Sequence, residues 1–338
     1  MRRELSMACA YSVAMLAASG AGLLGQGVGP GKPAAARTAA RYTPPRTPWG
    51  DPDLQGIYTD KDENGIPMER PNQFAGKEQL DDSELADVVR ERNERAAASA
   101  GAIGGADTGA GPTHWYEHYN AKNSRAWLIV DPPDGRMPPL TPAAQQRAGA
   151  RAAVRTVRGP ADSYEDRSLY DQCITRGIVG SMLPVIYGNS FQFVQGPGVV
   201  TIRYEMIHEA RVIPVDGRPH RGAGIRSYMG DPRGHWDGAT LVVETTNFTD
   251  RTAIGVNGNG TFNSEKLTLV ERFTPTSATT LEWRATVDDP DTWTRAWTFG
   301  LNLTKDPTQA VFEYACHEGN YGLRNILSAA RAEERSAR

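Results

Sequence analysis

The sequence predicts a mainly β fold: an antiparallel up-and-down barrel or strongly curved sheet that follows an irregular N-terminal arm. Two observations support this prediction. After residue 185, apolar and polar residues alternate with a period of two, and Gly, Pro, Asn and Asp separate the alternating segments at turn spacing. No helical crossover interrupts the segments, so consecutive strands should pair as a meander. A meander of this length hides its edges and its apolar face by closing on itself.

Seven segments carry this alternation. The predicted strands are 191–195, 199–214, 240–248, 265–274, 280–288, 294–303 and 311–316. Turn pairs lie between several of them, namely Asp216-Gly217, Asp237-Gly238 and Asn259-Gly260. A further short strand is predicted over 125–130, where it precedes the turn-dense segment DPPDGRMPP.

Two or three short helices and a C-terminal helix are predicted beside the strands, and two of the short helices can be located. The first covers 84–97, with Asp81 as its N-cap and Glu84 in the capping-box position. Thr141 and Pro142 form an N-cap and N1 pair that opens a second helix toward residue 157. Near the C-terminus, apolar residues at helical spacing predict an amphipathic helix that lies against the barrel. These residues are Leu323, Ile326, Leu327 and Ala330.

The N-terminal residues have the pattern of an export signal. Arg2 and Arg3 precede an apolar stretch that ends in small residues, which predicts a cleaved signal peptide over 1–26. The alternative is a membrane anchor, but the serines and glycines in this stretch lower its hydrophobicity too much for a stable membrane span. Residues 27–112 are expected to form an extended arm with one helix and a Gly/Ala-rich insert, and residues 113–338 a single β-rich domain. The expected location is the periplasm or outside the cell.

Composition and charge restrict the partners. The 338 residues carry a formal net charge of -3, which argues against a dedicated nucleic-acid binder because such a protein would show a basic stripe. The chain is also too polar for a multi-span membrane protein, and no stable span is expected after signal removal. The sequence lacks phosphate-binding loops, dinucleotide fingerprints and nucleophile elbows, so no cofactor is expected. The expected partner is a small molecule, and a homo-oligomer is compatible with the sequence.

The cysteines predict a disulfide. Cys9 leaves with the signal, so Cys173 and Cys316 remain as an even pair in an exported chain. Two separately buried thiols are the alternative. His114 and His118 have the spacing that lets two imidazoles share a metal on a helix, but an obvious third ligand is missing, so we predict no metal site.

Ionisable residues on the apolar side of the strands are the candidate catalytic groups. In a barrel, one parity of each strand faces the interior, and this count places His208, Glu271 and Arg295 inward. Burial raises the pKa of a carboxylate, and a nearby cation holds a developing anion. The pattern therefore predicts an acid/base site with His208 as base, Glu271 as acid and Arg295 as anion holder. The alternatives are a core histidine, a buried ion pair, or a parity shift at a bulge.

Aromatic and polar groups near strand ends complete the predicted site, because barrel mouths bind ligands there. The predicted substrate-binding residues are Tyr187, Tyr204, His235, Trp236, Asp237, Trp283, Trp293, His317, Glu318 and Tyr321. Each has a structural alternative. Asp237 belongs to a typical hairpin turn, Glu318 could cap the last helix, and aromatic residues in a β protein are usually core.

Several segments resemble a family of uncharacterised exported bacterial proteins. They include WGDPDLQG, LIVDPPDGR, HWDGATLVVETTNF and CHEGNY, and the similarity covers most of the chain from Thr47 to Leu327. The resemblance implies export and brings no activity with it. The alternating C-terminal half is also lipocalin-like in pattern, which says nothing about chemistry on its own.

Together these features predict an exported enzyme that performs cofactor-free acid/base chemistry on an apolar or aromatic small molecule in a β-barrel pocket. Elimination, isomerisation and hydrolysis all fit this description. The alternative is a lipophilic carrier protein of the periplasm that uses the same pocket without catalysis. A third hypothesis is a structural envelope protein, which would have a solid barrel.

Overall fold

A nearly closed antiparallel β-barrel is the centre of the protein, which confirms the predicted fold class. The computed structural model describes residues 42–102, 117, 119–120 and 125–337, all within one compact unit, Arg41–Arg338. The strands are β1 (Gly56–Thr59), β2 (Ile129–Asp131), β3 (Ser190–Gly196), β4 (Val199–Tyr204), β5 (Ala210–Pro214), β6 (Asp231–Asp237), β7 (Thr240–Thr246), β8 (Ala253–Ile254), β9 (Thr261–Phe262), β10 (Thr268–Pro275), β11 (Thr280–Asp288) and β12 (Trp297–Lys305). The α-helices are α1 (Asp82–Ala102), α2 (Pro142–Val157) and α3 (Tyr321–Ser336).

The barrel wall combines two meanders and one N-terminal strand. Its strand order is β5-β4-β3-β1-β12-β11-β10-β7-β6, and β2 adds to β12 outside this path. Strand β1 pairs with both β3 and β12, so it joins the two meanders. The segment that the sequence predicts as an extended arm therefore contributes a strand to the wall. The short strands β8 and β9 pair only with each other.

The two edge strands meet at a seam. All eight neighbouring strand pairs in this order are antiparallel, so the two edge strands, β5 and β6, run in the same direction. Residues 215–230 connect the end of β5 to the start of β6. A Cβ atom on Gly234 of β6 would lie 2.9 Å from Ile213 Cγ2 of β5 and 2.7 Å from Val215 Cγ1. The missing side chain at Gly234 therefore lets the two edges pack closely.

One end of the barrel is plugged by a loop. We call this end the mouth; it comprises the end of β1, the start of β3, the end of β4 and the start of β5. Residues 175–183, here called the plug, cover it with four core side chains. These are Ile178, Val179, Met182 and Leu183. Gly180 has a φ of +60°, and a Cβ atom there would lie 2.9 Å from the Tyr204 ring, so glycine allows the plug to lie directly on the barrel core.

Aromatic side chains fill the interior below the plug. Phe193 and Phe273 pack edge to face with ring centroids 5.4 Å apart, and Trp283 and Phe299 do so at 5.6 Å. All four are at most 1% exposed. Such rings contribute both buried area and a preferred geometry. The centre of the barrel is therefore packed core and not the predicted ligand pocket, and in this respect it matches the solid barrel expected of a structural envelope protein.

Several predicted elements are confirmed in detail. Strand β11 and helix α2 have the predicted bounds, and the Thr141 hydroxyl accepts a hydrogen bond from Ala144 N at 3.1 Å. At the start of α1, Glu84 N donates to Asp81 Oδ1 at 2.9 Å, and Asp81 N donates to Glu84 Oε2 at 3.2 Å. This is the predicted capping box.

Other predicted elements are wrong. The segment 199–214 is not one strand, because a 3₁₀ turn at Met206–His208 separates β4 from β5. The segment 311–316 has no regular structure, and β6 was not expected because it contains Pro232 and Gly234. Helix α3 has no buried residue. Its contacts include the segment 162–172, where Arg331 donates to Asp162 O at 2.7 Å.

A disulfide joins Cys173 to Cys316, as predicted, with a Cα–Cα distance of 5.7 Å. It ties residues 306–320, here called the strap, to the loop that precedes the plug. The predicted signal peptide 1–26, His114 and His118 lie outside the described residues. None of the helices in the described part of the chain is both long and apolar enough to cross a membrane.

Candidate functional site at the barrel mouth

The barrel interior contains a buried ion pair. Glu271 is 0% and Arg211 3% exposed at the side chain, and both guanidinium terminal nitrogens donate to the carboxylate, Nη1 to Oε1 at 3.0 Å. Trp283 Nε1 donates to Glu271 Oε1 at 3.2 Å, and Arg211 also reaches the Tyr204 hydroxyl at 3.4 Å. Burial lowers the pKa of Arg211, but Glu271 and Tyr204 outweigh it and leave that pKa above its ordinary value. Glu271 therefore faces inward as predicted, but the cation beside it is Arg211 and not Arg295.

The predicted inward positions of His208 and Arg295 are wrong. Ile207 and His208 adopt positive φ angles of 63° and 59°, and this turn reverses the alternation. Arg211 and Ile213 then take the inward positions of β5, whereas the His208 side chain is 38% exposed with Nε2 3.0 Å from Glu313 Oε1. Arg295 precedes β12, is 53% exposed and donates to Asp131 Oδ2 at 2.8 Å. The three predicted catalytic residues do not meet.

The predicted binding residues are spread over several places. Tyr204 and Trp283 are core residues beside the ion pair, and buried Trp293 packs against Trp297 with centroids 5.5 Å apart. His235 and Asp237 are exposed near the end of the barrel opposite the mouth, where Asp237 pairs with Arg272 at 2.7 Å. Trp236 is half-buried against the core.

The remaining predicted residues lie near the C-terminus, except Tyr187, which lies at the mouth. His317 and Glu318 are exposed beyond the disulfide, and Tyr321, at the first position of α3, is 65% exposed. Asn320, not Glu318, caps α3 by accepting a hydrogen bond from Leu323 N at 3.3 Å. His317 borders an open groove of about 630 Å³ between α3 and the segment 162–172.

The mouth brings together the predicted binding residue Tyr187 and several ionisable groups that the sequence did not single out. We call them the mouth cluster: Asp60, Arg176, Glu205, Glu209, Tyr170, Tyr187 and Tyr314. Strand pairing positions the carboxylates. Asp60 N donates to Asn189 O at 3.2 Å beside β3, Glu205 N donates to Ser190 O at 3.1 Å, and Glu209 O accepts from Tyr204 N at 2.9 Å.

Glu209 follows the turn, is half-buried, and lies two residues before Arg211, whose charge acts on it. Hydrogen bonds from the Thr175 side chain and the Arg176 backbone hold it against the plug. Its Oε2 atom is buried and has no hydrogen-bond partner among the described residues. Burial raises the pKa of Glu209 to about 7, against the weaker effects of these hydrogen bonds and of Arg211. Glu209 is thus held through one part of its carboxyl group and is free at the other.

Glu205 and Asp60 extend the acidic region. Burial, followed by repulsion from Glu117, raises the pKa of Glu205 to about 7. Asp60 is 1% exposed, and neither carboxylate oxygen has a partner in the described part of the chain. Burial, Glu117 and Glu63 raise its pKa well above the ordinary value. Asp60 is therefore the deepest and least compensated group of the mouth cluster.

Arg176 and three tyrosines form the other side of the mouth cluster. The Arg176 side chain is buried, and its Cζ atom lies 5.0 Å from the centroid of the Tyr170 ring. Tyr314 forms hydrogen bonds with both Tyr170 and Tyr187, and burial raises the pKa of these two. Tyr314 belongs to the strap, so the Cys173–Cys316 disulfide helps to keep it over the mouth.

Exposed apolar side chains lie next to these groups in the chain. Ile174 is 38%, Ile186 39% and Phe312 65% exposed. Ile174 is adjacent to Cys173, Ile186 to Tyr187, and Phe312 to Glu313, which contacts His208. Exposed apolar surface near polar groups is typical of ligand-binding regions.

The raised pKa values predict a pH-dependent stability. Folding raises the pKa of Glu205 and Glu209 from 4.5 to about 7, so between these values the folded state binds more protons than the unfolded state. The stabilisation is complete below about 4.5 and is lost as pH rises through 7. We therefore expect the urea concentration at the unfolding midpoint to decrease as the pH is raised from 5 to 8. The double variant Glu205→Gln/Glu209→Gln should show a flatter profile, and an equally steep one would contradict these shifts.

The described residues contain no group of three His, Cys, Asp or Glu side chains arranged to hold a metal ion. A turn beside a strand end would have been a weak sequence signal for Glu205 and Glu209, but no local pattern points to Asp60 or Arg176.

Comparisons with models of protein families, with curated proteins and with solved structures found no match.

Proposed function

We propose that this protein is an exported enzyme that performs cofactor-free acid/base chemistry on a small molecule at the barrel mouth, with Glu209 as the proton-transfer residue. The observation that carries the proposal is the state of Glu209. It combines a pKa of about 7 with a buried carboxylate oxygen that lacks a partner in the described part of the chain. A group with a pKa near the working pH is the most effective general acid or base.

The neighbouring residues suit this role. Glu209 can take a proton from a substrate or from water and return it, which is the step that elimination, isomerisation and hydrolysis share. Arg176 adds a positive charge that favours an anion developing next to it, because electrostatic effects are strong in a buried site. Tyr187 and Tyr314 can contact the ligand, and Ile186 and Phe312 can hold its apolar part. Glu271 has no catalytic role in this proposal, since it lies buried in its pair with Arg211.

A lipophilic carrier is the second candidate function. It is favoured by the exposed apolar side chains Ile174, Ile186 and Phe312 around the same mouth. In a carrier, the mouth cluster would only orient the ligand, and the protonation state of Glu209 would affect affinity alone.

The variant Glu209→Gln tests catalysis. It keeps the shape of the side chain and removes its ability to exchange a proton near pH 7, so we expect turnover to fall about 100-fold or more. The purified protein would be incubated with a small-molecule extract of cells, and mass spectrometry would identify compounds that the original protein depletes. The rate on such a compound should change with an inflection near pH 7.

The exposed Glu165 offers a matched control. Glu165→Gln makes the same chemical change at an exposed residue outside the mouth cluster and should leave turnover unaltered. Equal depletion by the original protein and by Glu209→Gln would overturn the role of Glu209. A compound that both proteins retain and neither converts would favour the carrier.

A further inference from the structure

We infer that the deep end of the mouth cluster binds the ammonium group of a small organic amine, with Asp60 as its counter-ion and the amine's apolar body lying toward the strap. This inference rests on the proposed function, because it names the substrate class of the same site. It starts from Asp60, a carboxylate that is 1% exposed and whose two oxygens have no partner among the described residues. Buried polar groups in folded proteins are nearly always hydrogen-bonded. The two unpaired oxygens of Asp60 therefore indicate a ligand that donates hydrogen bonds to them.

The charges around Asp60 favour a cation. The charged groups that act on the mouth carboxylates in the described part of the chain are Asp60, Asp62, Glu63, Glu117, Glu205 and Glu209 on the acidic side, and Lys61, Arg176 and Arg211 on the basic side. Arg211 is already paired with Glu271, and Lys61 lies 3.3 Å from Asp306. Arg176 thus faces several carboxylates, which outnumber the positive charges of this set. An ammonium group would reduce the repulsion among them and donate hydrogen bonds to Asp60.

The surrounding side chains favour an organic cation over a metal ion. The carboxylates do not converge as a metal-ligand set within the described residues. Tyrosine rings instead border the mouth, and the ring of Tyr170 already faces a cation, Arg176, at 5.0 Å. Aromatic faces attract ammonium groups as well. Ile186, next to Tyr187 in the chain, and Phe312, two residues before Tyr314, are exposed apolar side chains that can contact the rest of the ligand.

A matched pair of probes tests the inference. 2-Phenylethylamine carries an ammonium group at pH 7, whereas 2-phenylethanol has the same apolar body and no charge. In calorimetric titrations of the purified protein, we expect the amine to bind at least tenfold more tightly. Because a bound cation favours ionised carboxylates, amine binding should also release protons, which titrations in buffers of different ionisation enthalpy measure.

The variant Asp60→Asn preserves the size of the side chain and removes its charge. It should bind the amine at least tenfold more weakly and release fewer protons, while Glu165→Gln should behave like the original protein. If Asp60→Asn does not fold, proton release and the amine-to-alcohol ratio of the original protein still decide the question.

Three results would overturn the inference: equal affinity for amine and alcohol, unchanged amine affinity in folded Asp60→Asn, or displacement of the amine by millimolar Mg²⁺, which would indicate a metal site. These results are distinct from a failure of the proposed function. Turnover that depends on Glu209 without amine selectivity removes only the substrate class. Selective amine binding without turnover removes only catalysis.

Discussion

Replacing Glu271 by Leu is expected to lower the free energy of unfolding by about 3–5 kcal/mol, because it leaves a buried cation without its counter-ion. Arg211 is 3% exposed and directs both terminal nitrogens at this carboxylate. Trp283 Nε1 would also lose its acceptor. Urea denaturation at pH 7, followed by tryptophan fluorescence, would measure the loss.

The double variant Arg211→Met/Glu271→Leu separates the ion pair from its packing. Both charges leave the interior together and apolar groups of similar volume replace them, so we expect it to recover most of the lost stability. A double variant as unstable as the single one would mean that the shape of these side chains matters more than their charge. A single variant within about 1 kcal/mol of the original protein would contradict the buried-pair explanation.

Removing the disulfide is expected to have the second large effect. The variant Cys173→Ser/Cys316→Ser should lose about 2–5 kcal/mol of unfolding free energy, because the crosslink restricts a long loop of the unfolded chain. The two cysteines are 143 residues apart in the sequence. The variant should also loosen Tyr314 from Tyr170 and Tyr187, since the strap would lose one of its attachments.

Chemical denaturation with and without dithiothreitol provides the control for this prediction. The reductant should destabilise the original protein to about the level of the double serine variant and should leave the variant itself unchanged. Identical urea midpoints for the oxidised original protein and the variant would show that the crosslink does not contribute to stability.

The two polar regions of the barrel differ in their surroundings. The pair of Arg211 and Glu271 is enclosed by aromatic side chains, and its hydrogen bonds serve packing and orientation. In the mouth cluster, carboxylate oxygens of Asp60 and Glu209 have no partner in the described part of the chain, whereas in the buried pair the carboxylate is hydrogen-bonded and the atom without a partner is Nε of Arg211. A buried carboxylate oxygen without a partner, on a group whose pKa is raised, is a candidate for function, and Asp60 and Glu209 place two such groups at the mouth.

Local patterns in the sequence were sufficient for the fold class and for several elements. The alternation after residue 185 predicts an antiparallel barrel, because side chains on a strand point to opposite faces in turn. Helix α2 and its Thr141 cap follow from chemistry within one turn of helix. The pairing of Cys173 with Cys316 followed from the count of cysteines.

Contacts between residues that are distant in the sequence could be seen only in the tertiary structure. The inward position of His208 was wrong because two residues with positive φ reverse the alternation, and strand parity cannot show such a turn. The same turn gives Arg211 its place opposite Glu271. Asp60, Arg176, Glu209 and Tyr314 come from four separate segments, and only strand register, the plug and the disulfide bring them together. The sequence by itself thus determined the barrel and the crosslink. The site was decided by the tertiary structure, because burial and unpaired charge are properties of neighbours in space.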